Sequence, residues 1–224
     1  MKLVVFGATG GLGQHVWKGA VAAGHDVVAF VRSPDKLDHA DPRYASLNVV
    51  TGNVLDPDSV KTAATGCEVA INCTSPASGS ATLDLAKSAV TNAAAAGVGT
   101  FYMVGGLGAL WAPGTNKTVL LQDLKDTEAM SRLGLGGGIP REKLQAMTKG
   151  HLASMAFMAE TGLPHSFVCP GAMVEAPLSE NRVVTLDELG ANAGRVRYAD
   201  VAQVIVDDLG VGRLLGHRVC VASA

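Results

Sequence analysis

The residues that invite chemistry come first in the chain. Gly7-x-x-Gly10-x-x-Gly13 follows the apolar run Leu3–Phe6 and leads directly into a second apolar stretch, Val16–Ala23. A glycine pattern alone says little. Between a strand and a helix it has a physical purpose. The first glycine makes the tight turn out of the strand, the next lets the backbone approach a pyrophosphate, and the last lets the helix pack on the sheet. The amino end of the helix then offers unpaired N–H groups and a positive dipole end to phosphate oxygens. The alternative is a glycine-rich turn with no ligand.

The next strand ends in "AFVRSPDKL". An NAD site places Asp or Glu there, to bond the ribose 2′-hydroxyl. This chain has Arg32, with Ser33 beside it and Lys36 four residues on. A 2′-phosphate is doubly charged and suits a guanidinium fork. The pattern therefore points to NADP(H). The competing reading is that Arg32 and Lys36 merely coat a helix end.

These residues need elements to hold them. Strands are expected at Lys2–Phe6, Asp26–Val31, Ser46–Val50, Glu68–Cys73, Thr100–Val104, His165–Cys169 and Arg218–Ala222. Helices are expected at Gly11–Ala23, Asp58–Ala64, Ala81–Ala96, Arg141–Thr161 and Ala199–Leu209. Gly24 and Gly97 stand where helices close, and Asp56-Pro57 opens one. The strands are nearly continuous apolar runs, so they are buried on both faces. The alternation gives one α/β domain over residues 1–224: a Rossmann-type, doubly wound parallel sheet with helices on both faces. The glycine-rich stretch Gly105–Pro140 breaks the rhythm. It leaves the carboxyl edge of the fifth strand, where open α/β folds bind ligands. It reads as a loop over a site, with a short helix near Leu120–Arg132; a surface insertion is the competing reading. Its "LGLGGG" run, Leu133–Gly138, follows no strand and reads as a hinge.

Composition narrows the function classes. The chain has 224 residues, 48% of them apolar, and a net charge of −2. Nothing marks a nucleic-acid or membrane surface. Cys67, Cys73, Cys169 and Cys220 lack metal-ligand spacing, so buried free thiols and no metal site are expected. Only four apolar residues precede Gly7, too few for a signal-peptide core, and no run approaches the ~20 residues of a membrane span. A cytoplasmic protein, monomeric or homodimeric, is expected.

The stretches "VVFGATGGLG", "FVRSPDKL", "GNVLDPDSV", "HLASMAFMAETGL", "CPGAMV" and "RYADVAQVIVDDL" resemble those of an atypical short-chain dehydrogenase/reductase. The group is the NAD(P)H-binding one that includes flavin reductase/biliverdin-IXβ reductase. The resemblance spans nearly the whole chain. It implies that Thr9, Gly10 and Leu12 lie at a pyrophosphate, with Gly7 and Gly11 in the same turn. Arg32, Ser33 and Lys36 hold a 2′-phosphate, and Asn53 and Val54 flank adenine. The family usually has Asp where Asn53 stands, but an amide still bonds an adenine edge. Cys73, Thr74 and Ser75 line the ribose and phosphate path. Val104 and Gly105 end the fifth strand on the same edge, and Pro170, Gly171, Ala172 and Met173 pass beside the nicotinamide carboxamide.

The proton relay of ordinary members is missing. None of Tyr44, Tyr102 and Tyr198 has Lys four residues later, and Gly105-Gly106 stand where a Ser is expected. Alcohol oxidation and simple ketone reduction are disfavoured. Hydride transfer to a planar acceptor such as a flavin or quinone remains, because a π-system spreads the charge and takes its proton from water. Gly105 and Gly106 would leave room for a flat ring, and Trp111 would stack on it or plug the loop. His151 shares a helical stripe with Leu144, Thr148, Met155 and Met158. It is either the catalytic or cofactor-bonding histidine or a core histidine. The second function class is a non-enzymatic, NmrA-like redox sensor. The small room after the last strand favours the reductase. An epimerase would retain Tyr-x-x-x-Lys.

Overall fold

The computed structural model describes residues 1–74, 81–117, 120–123 and 141–223. Among them lie strands β1 (Lys2–Phe6), β2 (Asp26–Val31), β3 (Leu47–Thr51), β4 (Val69–Asn72), β5 (Thr100–Val104) and β6 (His165–Val168). Four more follow: β7 (Ala172–Val174), β8 (Arg182–Leu186), β9 (Arg195–Arg197) and β10 (Arg218–Ser223). The helices are α1 (Gly11–Ala22), α2 (Pro57–Ala64), α3 (Thr82–Ala95), α4 (Arg141–Thr161) and α5 (Tyr198–Asp208). None of them is long and apolar enough to cross a membrane.

The main sheet has the order β3-β2-β1-β4-β5-β6-β10-β8. It is parallel except for β8, which runs antiparallel to β10 at the edge. β7 and β9 form a separate parallel pair. The order reverses between β1 and β4, so a crevice opens at the carboxyl ends of those strands. One face packs against α1 and α5 and the other against α2, α3 and α4, giving two apolar layers. Burial on both faces explains the continuous apolar strands: Leu3, Val4, Val5 and Phe6 have no exposed surface.

Local signals set the helix bounds. Asp56 caps α2 by accepting from the Asp58 N–H, with Pro57 in the first turn. Two buried carboxylates fasten the carboxyl-terminal third. Asp208 accepts from the Tyr102 hydroxyl at 2.8 Å and from the Arg213 N–H at 2.7 Å. Asp200 accepts from the Ser179 N–H and hydroxyl, each at 2.8 Å, and from the Ser223 hydroxyl. Its burial pushes the carboxyl pKa up, but those donors outweigh that and hold it below the usual range.

Three strands differ from the sequence expectation. β7 and β9 are three residues each and pair with one another, and β8 is an edge strand with Val183, Val184 and Leu186 exposed. Such short or solvated strands lack the continuous apolar run that marked the others. Of the helix expected near Leu120–Arg132, the described part is a single 3₁₀ turn, Leu121–Asp123; the rest lies outside the described residues, as does Ser75.

Candidate functional site

The turn after β1 is built by close backbone approaches. Gly7 has φ +78°, and a Cβ on it would stand 3.0 Å from the Cys73 carbonyl and the Thr74 nitrogen. A Cβ on Gly13 would stand 2.2 Å from the Gly7 oxygen, so the first turn of α1 lies directly on the loop. Gly10 donates to the Gly7 oxygen at 3.0 Å and stands extended at the amino end of α1. No side chain caps that end and no acid stands in the first turn. Leu12 buries its side chain in the core, Thr9 is half-buried, and Gly10 and Gly11 are exposed. The result is a shallow cradle of backbone with the dipole of a 12-residue helix behind it.

Gly11, outside the Gly7–Gly10–Gly13 spacing, makes room for a side chain. Its Cβ would lie 2.8 Å from Cζ of Tyr198, the first residue of α5. Tyr198 also stacks on His15 at 6.1 Å, and His15 Nε2 meets Glu175 Oε1 at 2.9 Å. These contacts tie α1 to α5 and to the segment after β7. Sequence reasoning missed Tyr198 because its partner lies some 190 positions away in the chain. The only signal was the shared packing face of the first and last helices.

Beside the cradle, Arg32 ends exposed after β2, and Ser33 precedes a 3₁₀ turn, Pro34–Lys36. Other nearby cations are engaged. Lys18 lies 2.6 Å from Asp38, and Arg43 holds Asp41 at 2.5 Å, which keeps the Asp41 carboxyl far below its usual range. Among the described residues Arg32 and Lys36 have no carboxylate partner. Gln14 Nε2 donates to the Lys36 carbonyl at 3.3 Å, fixing the turn to α1. Asn53 and Val54 follow β3. Asn53 is exposed, its Oδ1 accepts from the Leu55 N–H at 3.1 Å, and Val54 is buried.

At the other half of the edge, register sets Phe6, Asn72, Met103 and Phe167 side by side. Asn72 Oδ1 accepts from the Thr74 N–H at 3.0 Å and hydroxyl at 2.7 Å, shaping the turn that carries Cys73. Burial pushes the Cys73 thiol up to about 12, so it stays a thiol at neutral pH. A small cavity here is lined by Thr74, Thr82, Val104, His151, Ser154 and Phe167. His151 meets Phe167 edge-on at 6.3 Å. Burial brings its pKa down to about 4, so at neutral pH the ring is uncharged. It holds a hydrogen-bonding imidazole to the cavity rather than an imidazolium.

The expected room beside Gly105 is taken. A Cβ on Gly105 would fall 2.1 Å from Phe167 Cε1, so the missing side chain admits Phe167 and not a ligand ring. A Cβ on Gly106 would stand 3.4 Å from His151 Cε1. Pro170 is buried, and Ala172 and Met173 belong to β7, held by β9 through Ala172 N–H to the Gly194 oxygen at 2.9 Å. Gly171 packs on the carbonyls of Ala193 and Gly194. Trp111 is a packing residue rather than an open stacking platform. Arg218 lies over its ring at 4.5 Å, and its backbone is locked to Asp187 and Leu189. Thr148 and Met158 of the His151 stripe are buried as expected; the Leu144 side chain lies outside the described residues.

A model of the NAD(P)H-binding family matches residues 7–210. Solved structures share the fold across the whole chain. One is a protein from Burkholderia pseudomallei described as exported: 24% identity, 99% of each chain, TM-score 0.79. Another is a proposed NADH-flavin reductase from Streptococcus pneumoniae: 23% identity, 100% of each chain, TM-score 0.78. A third, ChuY, is an anaerobillin reductase from Escherichia coli O157:H7: 20% identity, 98% of this chain and 97% of that one, TM-score 0.71.

Proposed function

Because the chain belongs to the NAD(P)H-binding family, we propose that it is an oxidoreductase that binds NADP(H) and reduces a flat, conjugated acceptor such as a flavin or quinone. The cradle fits a dinucleotide: its closest approaches would be blocked by any Cβ, and its helix end is uncapped. Thr9, Gly10, Gly11 and Leu12 would hold the pyrophosphate through backbone N–H groups. Arg32, Ser33 and Lys36 would take the 2′-phosphate, with Asn53 and Val54 at the adenine. Cys73 and Thr74 would line the ribose path, and Val104, Gly105 and Pro170–Met173 would flank the carboxamide.

NADPH, when bound, supplies a hydride. The chain's own part is to bind, align and keep water away. The observation that carries the reading is the proton side of the site. Where a Tyr–Lys pair and a Ser would deliver a proton, the chain has Gly105, Gly106 and an uncharged His151. An acceptor that needs an acid from the protein is therefore disfavoured, and one that disperses charge is favoured. His151 would serve as a hydrogen-bonding and positioning group at the cavity. The names of two fold neighbours, one for a flavin and one for anaerobillin, support a reductase of this kind.

The test is NADPH oxidation against a panel of flavins, quinones and dyes, with NADH in parallel. Turnover with a planar acceptor, faster with NADPH, is expected, and His151→Ala slows it while the fold stays intact. Tight NADPH binding with no acceptor reduced would replace the reductase by a dinucleotide sensor.

A further inference from the structure

A second cavity, of about 440 Å³, shares Phe167 with the cavity at His151 but is otherwise lined by different residues. Small-molecule sites commonly occupy ~300–1,000 Å³. It is lined by residues of β6 and β10 and, on one wall, by Leu152, Met155, Ala156 and Ala159 of α4. Leu152, Met155 and Phe167 make an apolar slot, and Ala156, being small, keeps it open.

The polar end is unusual. Arg218 is half-buried, and burial lowers the pKa of its guanidinium, with the nearby Asp187 charge offsetting part of that. Nη1 donates to the Ala109 oxygen at 2.7 Å, and the plane lies over Trp111 at 4.5 Å. Among the described residues no carboxylate pairs with that guanidinium. Asp187, nearest in the wall, is already spoken for. It meets Lys117 Nζ at 2.9 Å and His217 Nδ1 at 3.3 Å, and it takes the Arg218 backbone N–H at 3.0 Å. A half-buried guanidinium with no ion pair of its own is stabilised by a bound anion. His165 donates Nδ1–H to the Leu163 oxygen at 2.8 Å, which fixes its ring in the cavity lining.

We propose that this cavity binds a small aromatic acid, separately from the dinucleotide edge. Its anionic group lies against Arg218, and its ring between Leu152, Met155 and Phe167. Trp111 holds the guanidinium in place before the ligand arrives, which reduces the ordering cost of binding. Because the cavity shares Phe167 with the His151 cavity, its occupant touches a residue of the proposed reaction site.

The probe is 1-anilinonaphthalene-8-sulfonate, titrated by calorimetry into the intact protein with and without saturating NADP⁺ and NAD⁺. One equivalent is expected to bind, and neither dinucleotide displaces it. Arg218→Gln weakens binding by about tenfold or more, as loss of a charge-assisted contact requires. The neutral analogue N-phenyl-1-naphthylamine binds more weakly and ignores Arg218→Gln. Arg218 also supports Trp111, so a second variant keeps every native polar contact: Ala156→Trp, at an exposed helix position, fills the slot and abolishes binding. The proposal is overturned if the probe does not bind, if a dinucleotide displaces it, or if a folded Ala156→Trp binds it as the parent does. These outcomes leave the reductase reading untouched, because that reading is judged on NADPH oxidation alone.

Discussion

In the turn after β1, Gly7 and Gly13 are closed in by backbone; at the end of β5, Gly105 and Gly106 are closed in by side chains. Gly13 is pressed against the Gly7 carbonyl, while Gly105 is pressed against the ring of Phe167. A backbone obstacle cannot be trimmed by mutation, whereas a side-chain obstacle can. The half of the edge proposed to hold the dinucleotide is thus rigid in shape at its first turn, and the half proposed for the acceptor is adjustable at Gly105.

Gly13→Val tests the rigid half and carries the largest expected effect. The new side chain meets backbone at 2.2 Å, and overpacking of this kind costs about 3 kcal/mol. Melting should fall by roughly 6–12 °C, dinucleotide binding should be lost, and no single trimmed side chain should restore it. The adjustable half shows its burial through pH. Burial holds the His151 pKa at about 4 in the folded chain, against an ordinary 6.5. The unfolded chain therefore takes up this proton first. The associated stability is complete above about pH 6.5 and falls away toward pH 4, by up to about 3 kcal/mol. His151→Gln should flatten that part of a denaturant-derived stability profile; an unchanged profile would show the ring is not buried.

Arg32→Ala removes a charge and leaves the backbone cradle intact. NADPH affinity should drop by ~1.5–3 kcal/mol, with NADH barely affected in calorimetry. Equal losses for both would assign Arg32 to something other than the 2′-phosphate. Gly105→Ala should cost about 1–2 kcal/mol, and here the contrast with Gly13 is sharpest. Adding Phe167→Leu should recover part of the loss in a double-mutant cycle, and strict additivity would clear Phe167 as the obstacle. The smallest effect is Asn53→Asp. The carboxylate still accepts the Leu55 N–H and loses only the amide donor, so dinucleotide affinity should move by less than ~1 kcal/mol.

The same contrast explains what was legible in the sequence. Backbone approaches require glycine, and glycine at fixed offsets leaves a readable mark; the cradle, the parallel strands and the cations after β2 were all visible. The filling of Gly105 by Phe167 was not, because a glycine that admits a side chain looks like one that admits a ligand. That Gly11 also makes room for Tyr198 was equally hidden. The small strands β7 and β9 were invisible because three residues carry no periodicity, and each needs the other to exist. Trp111 showed only its aromaticity; the guanidinium on its face comes from a strand more than a hundred positions later.

The position of β10 bears on the order in which the chain can assemble. β8 leaves the ribosome before β10, yet its partner in the main sheet is β10, whose other neighbour is β6. Until Arg218–Ser223 are made, Arg182–Leu186 has no place in the main sheet. During that interval a nascent chain carries Val183, Val184 and Leu186 on an unpaired strand, the kind of segment that joins other chains. The arrival of β10 closes the gap between β6 and β8 in one step, and Ser223 then reaches Asp200 to fasten it. The finished sheet is thus completed from its interior, and the time spent waiting for β10 is the period in which the chain is most exposed to mispairing.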